Sequence, residues 1–272
     1  MKNRVLKTIF TFIMILLALV VLFPFYLMII MGTQYTNDLF KGLTLIPGNY
    51  LLENFRTIVD ANFGRYYFNS TYISILVTAL TLLVCSMAGY GFSVYRFKGG
   101  KFIFSMCIGM MMVPTQLGII AFAIEVKAIG WNGTHLPLII PAAASIFAMY
   151  WIYQYCEKNL PKEVIESARV DGCGELGIFA VISLPFLKTA MLSVGLLSFL
   201  WSWNSFLVPL VVISKQELYT IPLGIKTLDV LFRVDYGAQI LALGISTIPM
   251  LIFFLFFSKS LIRGLSSVAV KG

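Results

Sequence analysis

Asn159-Leu160-Pro161-Lys162-Glu163-Val164-Ile165-Glu166-Ser167-Ala168-Arg169-Val170-Asp171-Gly172, leading on to Ile182-Ser183-Leu184-Pro185, is the longest charged interruption on one side of an otherwise oily chain. It reads as two short helices joined at a glycine. Asn159 is a capping residue type, and Pro161 suits an opening turn because the N–H it lacks would be unpaired there anyway. Gly172 can take the left-handed conformation that ends a helix, and Glu175 favours the start of the next. Val164, Ile165 and Ala168 share one face, while Lys162, Glu166 and Arg169 are spaced to pair at i,i+4 and i,i+3 on the other. A short amphipathic helix of this kind needs something to cover its apolar face.

Composition sets where that cover can come from. Of the 272 residues, 59% are hydrophobic and only 12% charged, with a mean hydropathy of +0.90. A soluble domain would be about a quarter charged. The class is therefore all-α, a polytopic membrane protein, and the net charge of +8 is to be read by side of membrane rather than as a nucleic-acid footprint. Cys85, Cys107, Cys156 and Cys173 show no CxxC spacing and read as plain thiols rather than disulfides or ligands. His135 is the only histidine, which argues against a histidine-based metal or triad site. Lys2, Arg4 and Lys7 precede an apolar run too long for a signal-peptide core, so no cleavable leader is expected.

A hydrocarbon core about 30 Å thick needs roughly 20 helical residues. Six charge-free stretches reach that length: 8–31, 72–94, 102–124, 136–156, 189–213 and 240–258. With the N-terminus inside, thirteen Lys and Arg fall on the inner segments and seven on the outer. That bias predicts both termini in the cytoplasm, with the 157–188 loop between spans 4 and 5 and the 259–272 tail on the same side.

The connector from Gly32 to Thr71 is long enough to carry structure, with a turn at Pro47-Gly48. Leu51 to Val59 fits either a short interfacial helix or an ordered surface loop. Pro114, followed by Thr115 and Gln116, interrupts the third span and frees a backbone carbonyl that a neighbour or a water-lined cavity must satisfy. The fifth span carries Trp201-Ser202-Trp203-Asn204-Ser205 and Pro209. These residues suit a polar pathway, or equally interfacial anchors and an interhelical hydrogen bond. Asn69-Ser70-Thr71 and Asn132-Gly133-Thr134 match the glycosylation pattern only by a frequent coincidence.

None of the six stretches contains an ionisable residue of the kind that proton and ion relays keep inside a membrane. G-x-x-x-x-G-K-[ST] is missing too, Gly99-Gly100-Lys101 being only a fragment of it, as are G-x-S-x-G, H-E-x-x-H and paired carboxylates. If the protein does work, the energy is expected to come from a partner.

Glu166-Ser167-Ala168, three residues, Gly172, nine residues, then Ile182-Ser183-Leu184-Pro185 resembles the EAA loop of ABC importer permeases, departing only at Ser167, where alanine is usual. Asn69-Ser70, Tyr90-Gly91-Phe92, Met112-Val113-Pro114, Gly130-Trp131-Asn132, Trp203-Asn204-Ser205-Phe206 and Leu218 to Gly224 are similar to stretches of carbohydrate importer permeases. The ending from Gly264 to Gly272 is similar to the tail of the smaller permease in maltose-type systems. The resemblance implies that the chain forms a translocation path with a sister permease and receives sugar from an extracytoplasmic solute-binding protein. Two cytoplasmic ATPase subunits would use ATP and Mg, this chain binding no cofactor itself. It implies a place in the cytoplasmic membrane of a prokaryote, with no nucleic-acid partner. Glu166, Ser167, Ala168, Asp171, Gly172, Leu184 and Pro185 would couple to the ATPase, and Ser266, Ser267 and Lys271 in the tail would reach its interface. Gln116, Trp203 and Asn204 are candidates for the substrate path. Against this stand a passive channel or carrier, a membrane-embedded enzyme for which no nucleophile, base or metal set is found, and an ABC permease for a non-sugar solute.

Overall fold

The computed structural model describes residues 2–226, 228–230 and 233–269. The described residues form thirteen α-helices, several short 3-10 turns, one π-helical turn and one two-stranded antiparallel hairpin, β1 (Asp229–Val230) with β2 (Arg233–Val234). Two compact units result. One holds the described chain up to Arg65 together with Leu223–Pro249, the other Tyr66–Pro222 together with the chain from Met250 onward.

In the first unit, α1 (Lys2–Met31) is the first span and α2 (Leu51–Asp60) is a helix in the connector that follows it. Buried Asn54 fixes α2 by donating from Nδ2 to the carbonyls of Gly32, 3.0 Å, and Gln34, 2.9 Å. The same unit holds α12 (Ile221–Ile225) from Leu223 onward and the head of α13 (Tyr236–Ala269). Asp235 caps α13, its Oδ1 accepting from Ala238 N at 3.1 Å and from the Thr36 hydroxyl at 2.8 Å. An aspartate there satisfies an orphan N–H and lies favourably on the positive end of the helix.

In the second unit run α3 (Phe63–Val94), α4 (Gly100–Met110), α5 (Ile119–Ala128), α6 (Leu136–Ala143), α7 (Ile146–Asn159), α8 (Lys162–Val170), α9 (Glu175–Gly177), α10 (Leu184–Trp203) and α11 (Leu207–Val212). Among the described residues, five helical stretches are long and apolar enough to cross a membrane, or six if one bent pair counts as a span: Leu6–Met31, Phe63–Val94, Leu136–Asn159, Glu175–Trp203 and Tyr236–Leu255. The expected third span is not one straight helix. Gly100–Met110 and Thr115–Ala128 meet at 86°, with Pro114 extended at ψ 120° between them. The expected fourth span breaks at Ala144 and restarts where the Ser145 side chain accepts from Ala148 N. The fifth begins earlier than expected and ends at Trp203, α11 following as a separate turn and a half. Charge-free length placed its start after Lys188, but Lys188 is exposed on the helix, where a long stem can reach water.

The core of this unit joins α3, α7, α8 and α10. Tyr90, Ile152, Cys156, Ile165, Leu187 and Val194 belong to one buried cluster. The closest approach is at Gly89, where an added Cβ would lie 2.7 Å from the Met149 carbonyl oxygen and 2.9 Å from Ile152. Small residues let membrane helices meet this closely. Gly89→Leu should therefore force α3 off α7 and destabilise by about 1–3 kcal/mol, read as a lowered unfolding midpoint in detergent; an unchanged midpoint would contradict this contact.

Candidate functional site

The Asn159–Pro185 stretch folds as α8, a glycine turn, α9, and a π-helical segment at Ile178–Ser183 that runs into α10. Pro161 precedes α8 as an extended residue, φ −67° and ψ 124°. Asn159 does not cap α8: it is the last residue of α7, and its Nδ2 donates back to the Tyr155 carbonyl at 3.1 Å. Gly172 stands at φ +77°, and the helix ends as a Schellman turn, with Cys173 N on Ala168 O at 2.9 Å and Gly172 N on Arg169 O at 3.1 Å.

The cover for α8 is the protein itself. Ile165 is 2% exposed and Ala168 7%, both inside the cluster with Tyr90, Cys156 and Phe179, whereas Val164 is left half out. What α8 shows to solvent is Glu163, Glu166, Ser167, Val170 and Asp171, with Val170 88% exposed. Leu184 packs against the same core, and Pro185 is exposed where the π-helical segment passes into α10.

Arg169 does not pair within its own helix. The turn at Gly172 brings Glu175 back to it, with Nε to Oε1 at 2.7 Å and an Nη to Oε2 at 3.2 Å. The Tyr95 hydroxyl donates to Glu175 Oε2 at 2.5 Å, and the guanidinium carbon lies 5.7 Å from the Tyr95 ring centre. Tyr95 is the first residue after α3, so this clip ties the end of the second span to the turn after α8. The Arg169 guanidinium, then the Tyr95 hydroxyl, hold the Glu175 carboxyl below the usual carboxylate range. Desolvation first, then the bond to Glu175, push Tyr95 up to about 12. Neither Tyr95 nor the pairing of Glu175 was legible in the sequence, because the i,i+3 and i,i+4 rule sees only one helix.

The other candidates lie apart from this loop in the chain. Gln116 is exposed in the Thr115–Gly118 turn that follows the bend at Pro114. Trp203 is 2% exposed, stacked on Phe199 and edge-on to Tyr67, so it packs the core. Asn204 is exposed just past α10, its Nδ2 donating to the Leu200 carbonyl at 2.8 Å. A cavity of about 320 Å³ lies between α7 and α10, lined among others by Phe147, Tyr150, Trp151, Gln154 and Ser193. Ser266 and Ser267 lie in the last part of α13, and Lys271 falls outside the described residues.

At the N-terminal end of α3 a second polar node joins several stretches that the sequence showed only separately. Asn69 Nδ2 donates to the Glu217 and Tyr219 carbonyls, both at 2.9 Å, and Ser70 Oγ accepts from Ile221 N at 2.8 Å. His135 Nε2 donates to the Leu218 carbonyl at 2.7 Å while its Nδ1 accepts from the Tyr72 hydroxyl. Burial pushes this imidazole below its ordinary range, which keeps it neutral and able to do both. Residues flagged as one more likeness and one lone histidine thus secure the loop after α11.

A family described as the binding-protein-dependent transport system inner membrane component matches residues 82–267, and the chain belongs to it. It is a multi-pass membrane protein, a permease subunit of an ABC importer. Among its relatives is the arabinooligosaccharides transport system permease of Halalkalibacterium halodurans, 34% identical over 94% of this chain and 93% of that one. The trehalose/maltose transport system permease of Thermococcus litoralis is 33% identical over the whole of both chains. The sn-glycerol-3-phosphate transport system permease of Escherichia coli O1:K1 / APEC is 27% identical over 97% of this chain and 98% of that one. A crystal structure of a bacterial ABC transporter involved in alginate import has the same fold, with a TM-score of 0.80 at 19% identity, covering 95% and 97% of the two chains.

The clip has a pH signature. Because Glu175 is held below its ordinary value, the pairing stabilises the turn above the usual carboxylate range and is lost as pH falls through the lowered value. Hydrogen exchange of the 172–177 amides should be slower in the wild type than in Glu175→Gln at roughly pH 7, and the difference should shrink as pH falls below the usual carboxylate range. A difference that stays constant or grows as pH falls would contradict the assignment.

Proposed function

We propose that this permease serves an ATP-driven importer of sugars or oligosaccharides, and that α8 is the part of it that docks on a cytoplasmic ATPase subunit. The observation that carries the docking role is the division of α8 into a buried half, Ile165 and Ala168, and an exposed half, Glu166, Ser167, Val170 and Asp171. A helix held from behind and bare in front can transmit a push in either direction. Closure of two ATPase subunits would move α8, and with it the ends of α3, α7 and α10 packed on it, turning the path between inward and outward access. In this reading both termini and the 157–188 loop are cytoplasmic, a sister permease completes the path, and a solute-binding protein delivers cargo from the other side. ATP and Mg belong to the ATPase subunits, and this chain is not itself catalytic. The tail with Ser266, Ser267 and Lys271 extends toward the same subunits.

The sugar assignment rests on relatives named for the transport of arabinooligosaccharides, lactose, and trehalose or maltose. The cavity between α7 and α10 supports it, since aromatic faces at Phe147, Tyr150 and Trp151 with an amide at Gln154 suit a ligand that has apolar C–H faces and many hydroxyls. This wall is a stronger substrate candidate than the buried Trp203. Exposed Gln116 and Asn204 remain candidates beside it.

Two substitutions test the docking role. Glu166→Lys reverses a charge on the exposed face without touching the core. Gly172→Val puts a β-branched residue at φ +77°, a strain of about 1–2 kcal/mol or more, while Gly172→Asn tolerates that conformation. Both Glu166→Lys and Gly172→Val should reach the membrane in normal amount and lose at least about tenfold of ATP-driven uptake, roughly 1.4 kcal/mol of coupling, with Gly172→Asn close to wild type. Near-normal uptake in the first two would overturn the role of α8. Failure of every sugar-loaded binding protein to stimulate ATP hydrolysis, with an intact complex, would overturn the cargo alone.

A further inference from the structure

The connector after α1 carries apolar residues that nothing among the described residues of the first unit covers. Leu43 and Ile46 are 68% and 76% exposed, and Leu45 is half exposed. On α2, Leu51, Leu52, Phe55 and Val59 are exposed along one side, Glu53 and Asp60 lie on the far side, and Arg56 borders the stripe one turn on from Leu52. Asn54 and Ile58 face inward. In water this would be an unfavourable surface, and its position says what it meets instead.

Hydrogen bonds fix the depth of these segments against α1. The Tyr26 hydroxyl donates to the Leu45 carbonyl at 2.7 Å. Tyr26 stands five residues before the end of α1 at Met31, about 8 Å at 1.5 Å per residue. Helical side chains lean toward the N-terminus, which sets Leu45 no higher than that. From Thr8, where the charge-free run begins, roughly 20 residues cross the hydrocarbon and reach Leu27, beside Tyr26. Leu45 therefore lies at the edge of the hydrocarbon, and α2 lies one headgroup layer above, pinned by Asn54 to the carbonyls of Gly32 and Gln34.

Backbone that leaves helical form at such a depth must find partners. Here it does. The Leu45 carbonyl has Tyr26, and the Ile46 carbonyl accepts from Gln34 Nε2 at 3.3 Å. Gly48 N donates to Thr33 Oγ1 at 2.7 Å and Tyr50 N to the Thr33 carbonyl at 2.9 Å. The polar groups turn toward α1 and its end, and the side chains turn out.

We propose that residues 43–59 form a monotopic lipid anchor: Leu43, Leu45 and Ile46 enter the acyl boundary, and α2 lies in the headgroup layer on its Leu51, Leu52, Phe55 and Val59 face. The partner is the bilayer itself. The surface continues from α1, whose side chains are exposed along nearly its whole length, and the depth matches the about 5–10 Å to which interfacial helices bury their apolar face.

The test uses the assembled transporter in lipid vesicles, with Cys85, Cys107, Cys156 and Cys173 replaced by serine or alanine and nitroxides placed singly at Ile46→Cys, Leu52→Cys and Glu53→Cys. Labels at 46 and 52 should collide more with dissolved oxygen than with a water-soluble nickel chelate supplied on both sides, and the label at 53 should show the reverse. Access of the chelate to all three, meaning a solvated loop, overturns the proposal. Shielding of 46 and 52 from both quenchers, meaning a protein partner, overturns it as well. A wild-type transporter in phosphatidylcholine with a photoactivatable acyl chain gives a reading free of substitutions. Adducts should map within 43–59 as well as on α1, and adducts on α1 with none in 43–59 would sink the anchor.

Discussion

The burial of Ile165 and Ala168 is the contact on which the proposed docking helix depends. These two side chains enter the same cluster as Tyr90 on α3, Ile152 and Cys156 on α7, and Leu187 and Val194 on α10. Close-packed interiors transmit displacement rather than absorb it, so α8 cannot slide without taking the ends of three spans along. Burial supplies the energy of that attachment. The exposed ion pair between Arg169 and Glu175 adds little stability of its own, but its two-point geometry and the Tyr95 hydroxyl fix the direction in which the turn after α8 points. Attachment and aim are thus carried by different residues.

Broken helices pose the complementary problem. A span interrupted inside a membrane leaves carbonyls and amides with no water to receive them. Polar side chains near the breaks answer it locally. Ser145 takes the Ala148 amide at the restart of α7, and Asn204 gives its amide to the Leu200 carbonyl where α10 stops. The loop after α11 is held the same way by Asn69, Ser70 and His135. Several polar residues in the apolar half of the sequence thus serve backbone first, which is why a polar residue in a span is a weak pointer to substrate.

The helical class and the α8–glycine–helix order were legible because they rest on local rules. Apolar runs of membrane length have few other solutions, and a helix that ends with its next residue at positive φ strongly favours glycine. The misses share one cause, that the deciding partner lies far away in sequence or outside one helix. Asn159 was read as a cap for α8 but finished α7, since the extended Pro161 already separated the two. Helical spacing matches Arg169 to Glu166, whereas the turn at Gly172 delivers Glu175 with better geometry. Charge-free length starts the fifth span after Lys188, which lies inside α10 nonetheless, and the second span reaches back from Tyr72 to take in Arg65. The Tyr95 clip left no local sign at all.

Ser167 shows how the packing of α8 reads back onto its sequence. Its place in the motif normally holds alanine, and the structure puts it on the exposed side, where a hydroxyl meets water at no penalty. One position later the same change would set a hydroxyl against Tyr90, Cys156 and Phe179, in a cluster that Ala168 enters with 7% exposure. An unpaired buried hydroxyl costs about 1–3 kcal/mol by mutational measures, enough to loosen a helix held by two side chains. The two small residues after Glu166 are therefore small for different reasons. At 168 the constraint is the protein's own core. At 167, on the face proposed to dock, it would be the shape of the receiving surface, which would have to leave room for one more oxygen.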